Sequence, residues 1–145
     1  MNKFLLIASA FGLLLSSASA QEGTSKEDWM TYGLKRSDYT RYVPSGTSRR
    51  IWFTTVLNPD CSVNNGLEIR TTKKPEHGTV EITSGEGFAS YDKDNIRVKC
   101  NGKKYRGVSV TYKSSAGYVG PDEFEVLSLS PSGFGWEVHF RLDVR

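Results

Sequence analysis

From Arg49 onward, apolar and polar residues alternate with a period of two, which is typical of half-buried strands. The last run, GWEVHFRLDVR, is the clearest, because apolar residues from Trp136 to Val144 alternate with polar or charged ones from Glu137 to Arg145. A helix would mix the two sets, since its side chains repeat every 3.6 residues. The alternation predicts a strand with one face in a core.

Shorter runs with the same alternation precede it, at residues 50–57, 66–72, 78–84, 95–100, 107–112 and 123–129. Turn signals such as Asn101-Gly102 lie between the runs, and Asn-Gly supplies the positive φ values that tight hairpins need. Seven or eight short strands and no convincing helix predict an all-β fold, an antiparallel β-sandwich.

The first 20 residues have the features of a secretory signal peptide. Lys3 gives a positive start, the apolar run from Phe4 to Leu15 is too short to span a bilayer, and Ala18-Ser19-Ala20 fits a cleavage site. We expect cleavage after Ala20, no transmembrane segment, and a periplasmic or secreted protein.

Residues 21–48 lack an apolar period but carry four aromatic residues, Trp29, Tyr32, Tyr39 and Tyr42. This composition predicts an irregular N-terminal arm, followed by a sandwich domain over residues 49–145. A disordered tail seldom holds this many aromatics. The arm therefore either packs across the domain, which is the preferred interpretation, or binds a partner.

Charge and cysteine content narrow the function classes. The chain of 145 residues has a formal net charge of +3, and loss of Lys3 brings it closer to balance, so we expect no nucleic-acid partner. Cys61 and Cys100 are an even pair in an oxidising compartment, which predicts one disulfide. It would close a loop of about 40 residues and stabilise the fold by roughly 4 kcal/mol.

The segment SSAGYVGPDEFEVL lies between two predicted strands. Gly117 and Gly120 permit backbone angles closed to other residues, and Pro121 fixes its own φ. Asp122 is expected to accept hydrogen bonds from backbone N–H groups just ahead, and Tyr118 to fill the end of the core. The residues predict a structural corner rather than a ligand-binding loop.

The motifs KPEHGTV and VTYKSSAGYVGPDEFEV resemble the Ig-like, cadherin-like repeats of bacterial surface and adhesin proteins. The resemblance covers about residues 66–145 and implies an Ig-like β-sandwich outside the cytoplasm, without catalytic residues. The chain departs from the family in holding one copy, in its cysteine pair, and in Ser114, where proline is common. The matching positions are Pro75, His77, Gly78, Thr79, Val80, Tyr112, Gly117, Tyr118, Gly120, Asp122 and Phe124.

The best enzymatic candidate is the carboxylate pair Glu123 and Glu125, which share a strand face about 7 Å apart and could serve glycoside hydrolysis. A solvated polar stripe has the same sequence, and a catalytic acid also needs a pocket. His77 is expected in a structural turn, and His139 on a solvated face. No catalytic residue, metal or cofactor is predicted, although calcium at residues 91–95 stays open, as does a turn beginning at Asp92.

The segment RVKCNGKKYRG concentrates basic residues around a predicted hairpin. Such a tip either binds an anionic glycan, lipopolysaccharide or nucleic acid, or is a solvated hairpin whose charges protect a strand edge from pairing, which is the preferred interpretation. We expect a non-catalytic binding module that recognises a protein or glycan of the bacterial envelope. The alternatives are a small envelope glycan hydrolase and a secreted inhibitor of hydrolases. Besides the four arm aromatics, the candidate binding residues are Lys99, Lys103, Lys104, Tyr105 and Arg106.

Overall fold

The computed structural model describes residues 34–145, so the expected signal peptide, Trp29 and Tyr32 lie outside the described residues. The described chain forms two sheets, one of four strands ordered β1-β7-β6-β3 and one of three ordered β2-β5-β4. The predicted all-β sandwich with one disulfide is confirmed. The strands are β1 (Leu34–Val43), β2 (Ser48–Thr54), β3 (Glu68–Lys73), β4 (Gly78–Phe88), β5 (Lys104–Ser114), β6 (Gly120–Leu129) and β7 (Gly135–Val144).

The sandwich was expected to begin at residue 49, but β1 extends it to residue 34. Residues 34–43 belong to the segment expected to be an irregular arm, but they pair in parallel with β7, from Leu34 opposite Gly135 onward. The other strand pairs within the two sheets are antiparallel. An edge strand needs little apolar surface, which is why the charged and mostly exposed residues of β1 concealed it from the alternation.

Side chains of both sheets fill one core. Phe124 and Phe140 of the four-stranded sheet stack with ring centroids 4.8 Å apart. Tyr112 and Trp52 both belong to the other sheet, and their ring centroids lie 6.1 Å from that of Phe124 and 6.0 Å from that of Phe140, respectively. The predicted inward face of β7 is buried from Val138 onward. The buried members are Val43, Ile51, Val110, Tyr112, Phe124, Val126, Val138, Phe140, Leu142 and Val144.

A second, smaller cluster forms around the disulfide. Cys61 and Cys100 are bonded, with Cα atoms 5.5 Å apart and a sequence separation of 39, and Leu57 and Ala89 are buried beside them. Tyr105 packs against the cluster. The bond ties the segment after β2 to the long connection between β4 and β5, which contributes few strand contacts of its own.

The predicted strand at residues 95–100 is wrong. The segment consists of turns that end in a single 3₁₀ turn at Val98–Cys100. The side chain of Asn95 accepts a hydrogen bond from the Arg97 N–H at 2.9 Å, which satisfies the backbone locally instead of in a sheet. Ile96 is 66% exposed, so the alternation of Ile96 with Val98 does not correspond to a buried strand face.

Among residues 34–145, no helix is long and apolar enough to cross a membrane.

Candidate functional site

The predicted corner centres on the carboxylate of Asp122, which is buried on the inner face of β6. The carboxylate accepts hydrogen bonds from the Glu76 N–H at 3.0 Å, the His77 N–H at 3.1 Å, the Glu123 N–H at 2.9 Å and the Tyr112 hydroxyl at 2.7 Å. Burial, and then the bond to this carboxylate, raise the pKa of the Tyr112 phenol. Two of these donors belong to the turn between β3 and β4, and not to the loop of Asp122 as expected. The carboxylate thus joins two segments distant in sequence.

Tyr118 is half-buried and packs against the main core. Its ring stacks on the His77 imidazole with centroids 3.8 Å apart, and its hydroxyl donates to the Pro121 carbonyl at 2.6 Å. Gly120 has a φ of 144° and lies against this hydroxyl, so a side chain there would be strained and crowded. The groups of the corner therefore stack on and hydrogen-bond to one another.

The outer face of the four-stranded sheet holds a cluster that the sequence did not reveal. His139 of β7 lies between two carboxylates, with Nδ1 3.0 Å from Asp38 of β1 and Nε2 3.0 Å from Glu123 of β6. The expectation of a solvated His139 is wrong, since the residue is only 6% exposed beneath its neighbours. Each ring nitrogen thus lies within hydrogen-bonding distance of one carboxylate.

The carboxylates proposed for glycoside hydrolysis are both paired. The hydrogen bond from Lys73, followed by that from His139, lowers the pKa of Glu123. Glu125 lies 3.3 Å from the guanidinium of Arg36. A general acid needs a raised pKa at its operating pH, and the cations give Glu123 the opposite shift. This geometry does not favour the hydrolase alternative.

The basic hairpin is not formed as predicted. Lys99 lies in the 3₁₀ turn and Lys103 in the turn after it, whereas Lys104 and Arg106 lie in β5. The structure thus spreads the four basic side chains over a loop and a strand. The Tyr105 hydroxyl is buried and has no hydrogen-bond partner among the described residues, and its ring packs against the disulfide cluster.

The two described arm aromatics lie on opposite faces of β1. Tyr42 faces outward beneath the Arg145 guanidinium, 4.7 Å from its ring centroid. Tyr39 faces the other sheet, stacks on Phe140 at 5.8 Å and lies under Arg41 at 5.0 Å. Only Tyr39 therefore reaches the space between the sheets.

Tyr39 lines a cleft of about 960 Å³ that residues of both sheets enclose. Small-molecule and cofactor sites commonly have 300–1,000 Å³ and aromatic linings, and this cleft lies near the upper end of that range. Two rings, Phe88 and Phe134, are 59% and 65% exposed. The aromatic residues lining the cleft include Tyr39, Trp52, Phe88, Tyr91, Phe134 and Trp136.

Three bases and one acid carry the charges around the cleft. Lys35 and Arg41 project from β1, and Arg97 and Asp92 come from the connection between β4 and β5. Arg97 is fixed by its Nε, which donates to the Leu57 carbonyl at 2.6 Å. The cleft therefore combines aromatic surface with a net positive charge, the combination that suits an anionic ligand with apolar faces.

The sequence did not reveal this cleft because its lining comes from five strands and three connections that meet only in the fold. One signal was present in the sequence. Phe88 follows Gly87, and Phe134 lies between Gly133 and Gly135, so both aromatics stand beside glycines at the ends of strands. Large aromatic side chains at strand ends are poorly placed for a core and are candidates for an exposed site.

A second, smaller hollow of about 460 Å³ is lined by residues 63–67, 84–86 and 106–108, together with Thr55 and Val56. It has none of the aromatic rings of the first cleft. Across residues 34–145, no group of three or more His, Cys, Asp or Glu residues is arranged to hold a metal ion, including the acidic residues at 92–95. There the Asn95 N–H donates to the Asp92 carbonyl at 2.9 Å, which closes the turn considered at this position.

No protein-family model matches the chain, and no curated protein matches its sequence. Among solved structures, the solution structure of Amebosin is similar with a TM-score of 0.40 and 10% sequence identity, over 77% of this chain and 97% of that one. A likeness this weak carries no conclusion about function.

Proposed function

We propose that this protein is a non-catalytic binding module of the bacterial periplasm or cell surface, and that it recognises an envelope protein or glycan through the aromatic cleft. The expected signal peptide and the resemblance of residues 66–145 to Ig-like surface repeats support the location. The disulfide fits an oxidising compartment.

The observation that carries the proposal is the pair of exposed rings, Phe88 and Phe134, in a cleft that Trp52 and Trp136 also line. Exposed aromatic rings cost solvation free energy unless a ligand or partner covers them. Aromatic residues also dominate binding energetics, since they bury a large area at little entropic cost. The cleft is thus the surface best suited to hold a ligand.

Charge narrows the ligand class. Lys35 and Arg41 belong to one sheet and Arg97 to a loop facing it, so a ligand between them meets cations from both sides. An acidic group on the ligand would gain from this field, most of all at low ionic strength. We therefore propose a ligand with acidic groups, such as an anionic envelope glycan or an acidic protein segment.

The proposal is tested by titrating the isotopically labelled protein with purified peptidoglycan fragments, a lipopolysaccharide-derived oligosaccharide and an acidic peptide. We expect one probe to move the indole N–H signals of Trp52 and Trp136 in a saturable manner. Saturable shifts confined to residues 99–106 would instead assign binding to the basic segment. Failure of all three classes to move either indole would contradict the proposal for these ligands.

A further inference from the structure

The cleft has a candidate occupant within the same chain. Residues 21–33, the stretch between the expected cleavage site and β1, carry Trp29 and Tyr32 but are not needed by any strand described above. Lys35, one residue into β1, already lines the cleft. The segment therefore joins the described fold directly at the rim of the aromatic surface.

Residues 21–33 join β1 close to the exposed ring of Phe134. In the parallel register, Leu34 is opposite Gly135, the neighbour of Phe134. An extended chain advances about 3.3 Å per residue, so Trp29, five residues before Leu34, reaches up to roughly 17 Å from it. That distance lets the indole approach Phe134, the neighbour of the residue opposite Leu34, without any change in the sheets.

The charges of the segment and of the cleft are opposite. Glu22, Glu27 and Asp28 against the single base Lys26 give residues 21–33 a net negative charge. The cleft has the reverse balance, with three bases against Asp92. Complementary charge of this kind favours the docked arrangement and fixes its register.

We propose that residues 21–33 fold back into the aromatic cleft as an intramolecular strap, with Trp29 as its anchor against the rings of Phe88 and Phe134. Tethering makes docking of the strap an intramolecular event with a high effective concentration, so modest contacts suffice to hold it in place. Where the cleft also binds an envelope ligand, which rests on the function proposed above, the strap competes with that ligand.

Docking is tested in the whole protein with a nitroxide on Ser25→Cys, since both native cysteines are in the disulfide. We expect the indole N–H signal of Trp52, on the opposite sheet, to lose more than half its intensity relative to the reduced label. Adding Trp29→Ala or Lys35→Glu should restore most of that intensity. The matched variant Lys103→Glu, on an exposed turn outside the cleft lining, should leave the loss unchanged.

Two results would overturn the strap. One is a Trp52 signal whose intensity is the same with the oxidised and with the reduced nitroxide on Ser25→Cys. The other is broadening that appears when spin-labelled, unenriched protein is mixed with unlabelled, isotope-enriched protein, since that result identifies a second copy as the occupant. Because no outside ligand is used, a negative result removes the strap and leaves the proposed binding function to its own titration.

Discussion

A single carboxylate, that of Asp122, holds the turn between β3 and β4 onto β6. It accepts three backbone N–H bonds and the Tyr112 hydroxyl in a buried position. The sequence predicted that Asp122 would satisfy backbone donors, because an aspartate after Gly-Pro commonly does so. It could not predict which donors, since two of them lie more than 40 residues earlier in the chain.

Replacing Asp122 with Ala should lower the free energy of unfolding by about 2–4 kcal/mol, because several buried donors lose a charged acceptor together. Urea unfolding of the purified variant measures the loss. The matched control is Tyr118→Phe, which removes the exposed hydroxyl bonded to Pro121 and should cost no more than about 0.5 kcal/mol. An Asp122→Ala variant as stable as the wild type, but unable to bind ligand, would show that the corner is a ligand site.

At the scale of elements, β1 is an edge strand joined to the sheet by charge as well as by its ladder. Asp38 lies 3.0 Å from both His139 and Arg141 of β7, and His139 continues the contact to Glu123 of β6. Three strands are therefore connected across their outer faces by one imidazole.

This cluster predicts how stability depends on pH. The bond from His139 chiefly lowers the pKa of Asp38, and the bond from Lys73 chiefly lowers that of Glu123. A lowered folded-state pKa contributes stability that is present above the ordinary carboxyl pKa of about 4, and that is lost as the pH falls through the folded value. We expect stability to decrease below about pH 4.

The variant Asp38→Asn with Glu123→Gln should show a shallower decrease of stability with falling pH, measured by urea unfolding from about pH 2.5 to 6. The control is Glu81→Gln with Glu86→Gln, which removes two carboxylates from exposed positions of β4. If stability fell equally steeply with decreasing pH in the wild type and in the Asp38 and Glu123 variant, these two carboxylates would not be the cause of the decrease.

The disulfide fixes the long connection between β4 and β5. Replacing Cys61 and Cys100 together with Ala should lower the free energy of unfolding by about 2–5 kcal/mol while the far-ultraviolet circular dichroism of the strands persists. Mass spectrometry of the non-reduced protein should find the two residues joined. Free thiols on both in the undamaged protein would contradict the bond.

Elements with strong alternation were predictable, and elements without it were not. β7 was identified with its inward face because five apolar side chains share one side. Residues 95–100 have only a short apolar alternation, and they form turns instead of a strand. The side chain of Asn95 accepts the Arg97 N–H, which satisfies this backbone donor within the turn. β1 carries too few apolar residues to signal a strand, because its neighbour β7 supplies the core contacts and its own outer face pairs through charge.

The two sheets pack against each other through one core and leave a cleft lined by aromatic rings. The candidate site was therefore only partly predictable. Tyr39 was named from composition, whereas Phe88, Phe134 and Trp136 entered the site because separate strands end around the same space. The basic segment was identified from its charge density, but in the fold Tyr105 packs against the disulfide cluster, Lys99 lies in the 3₁₀ turn and Lys104 lies in β5.

Binding at the aromatic cleft is tested by comparing ligand affinity in variants of exposed apolar residues. Isothermal titration with the probe that saturates the wild type is compared for Phe88→Ser with Phe134→Ser and for Val119→Ser, which is 67% exposed and outside the cleft lining. Loss of two anchors should weaken binding by about 30-fold or more, while Val119→Ser should leave it unchanged, with all three proteins equally folded. Wild-type affinity in the Phe88 and Phe134 variant would contradict ligand binding at the aromatic cleft.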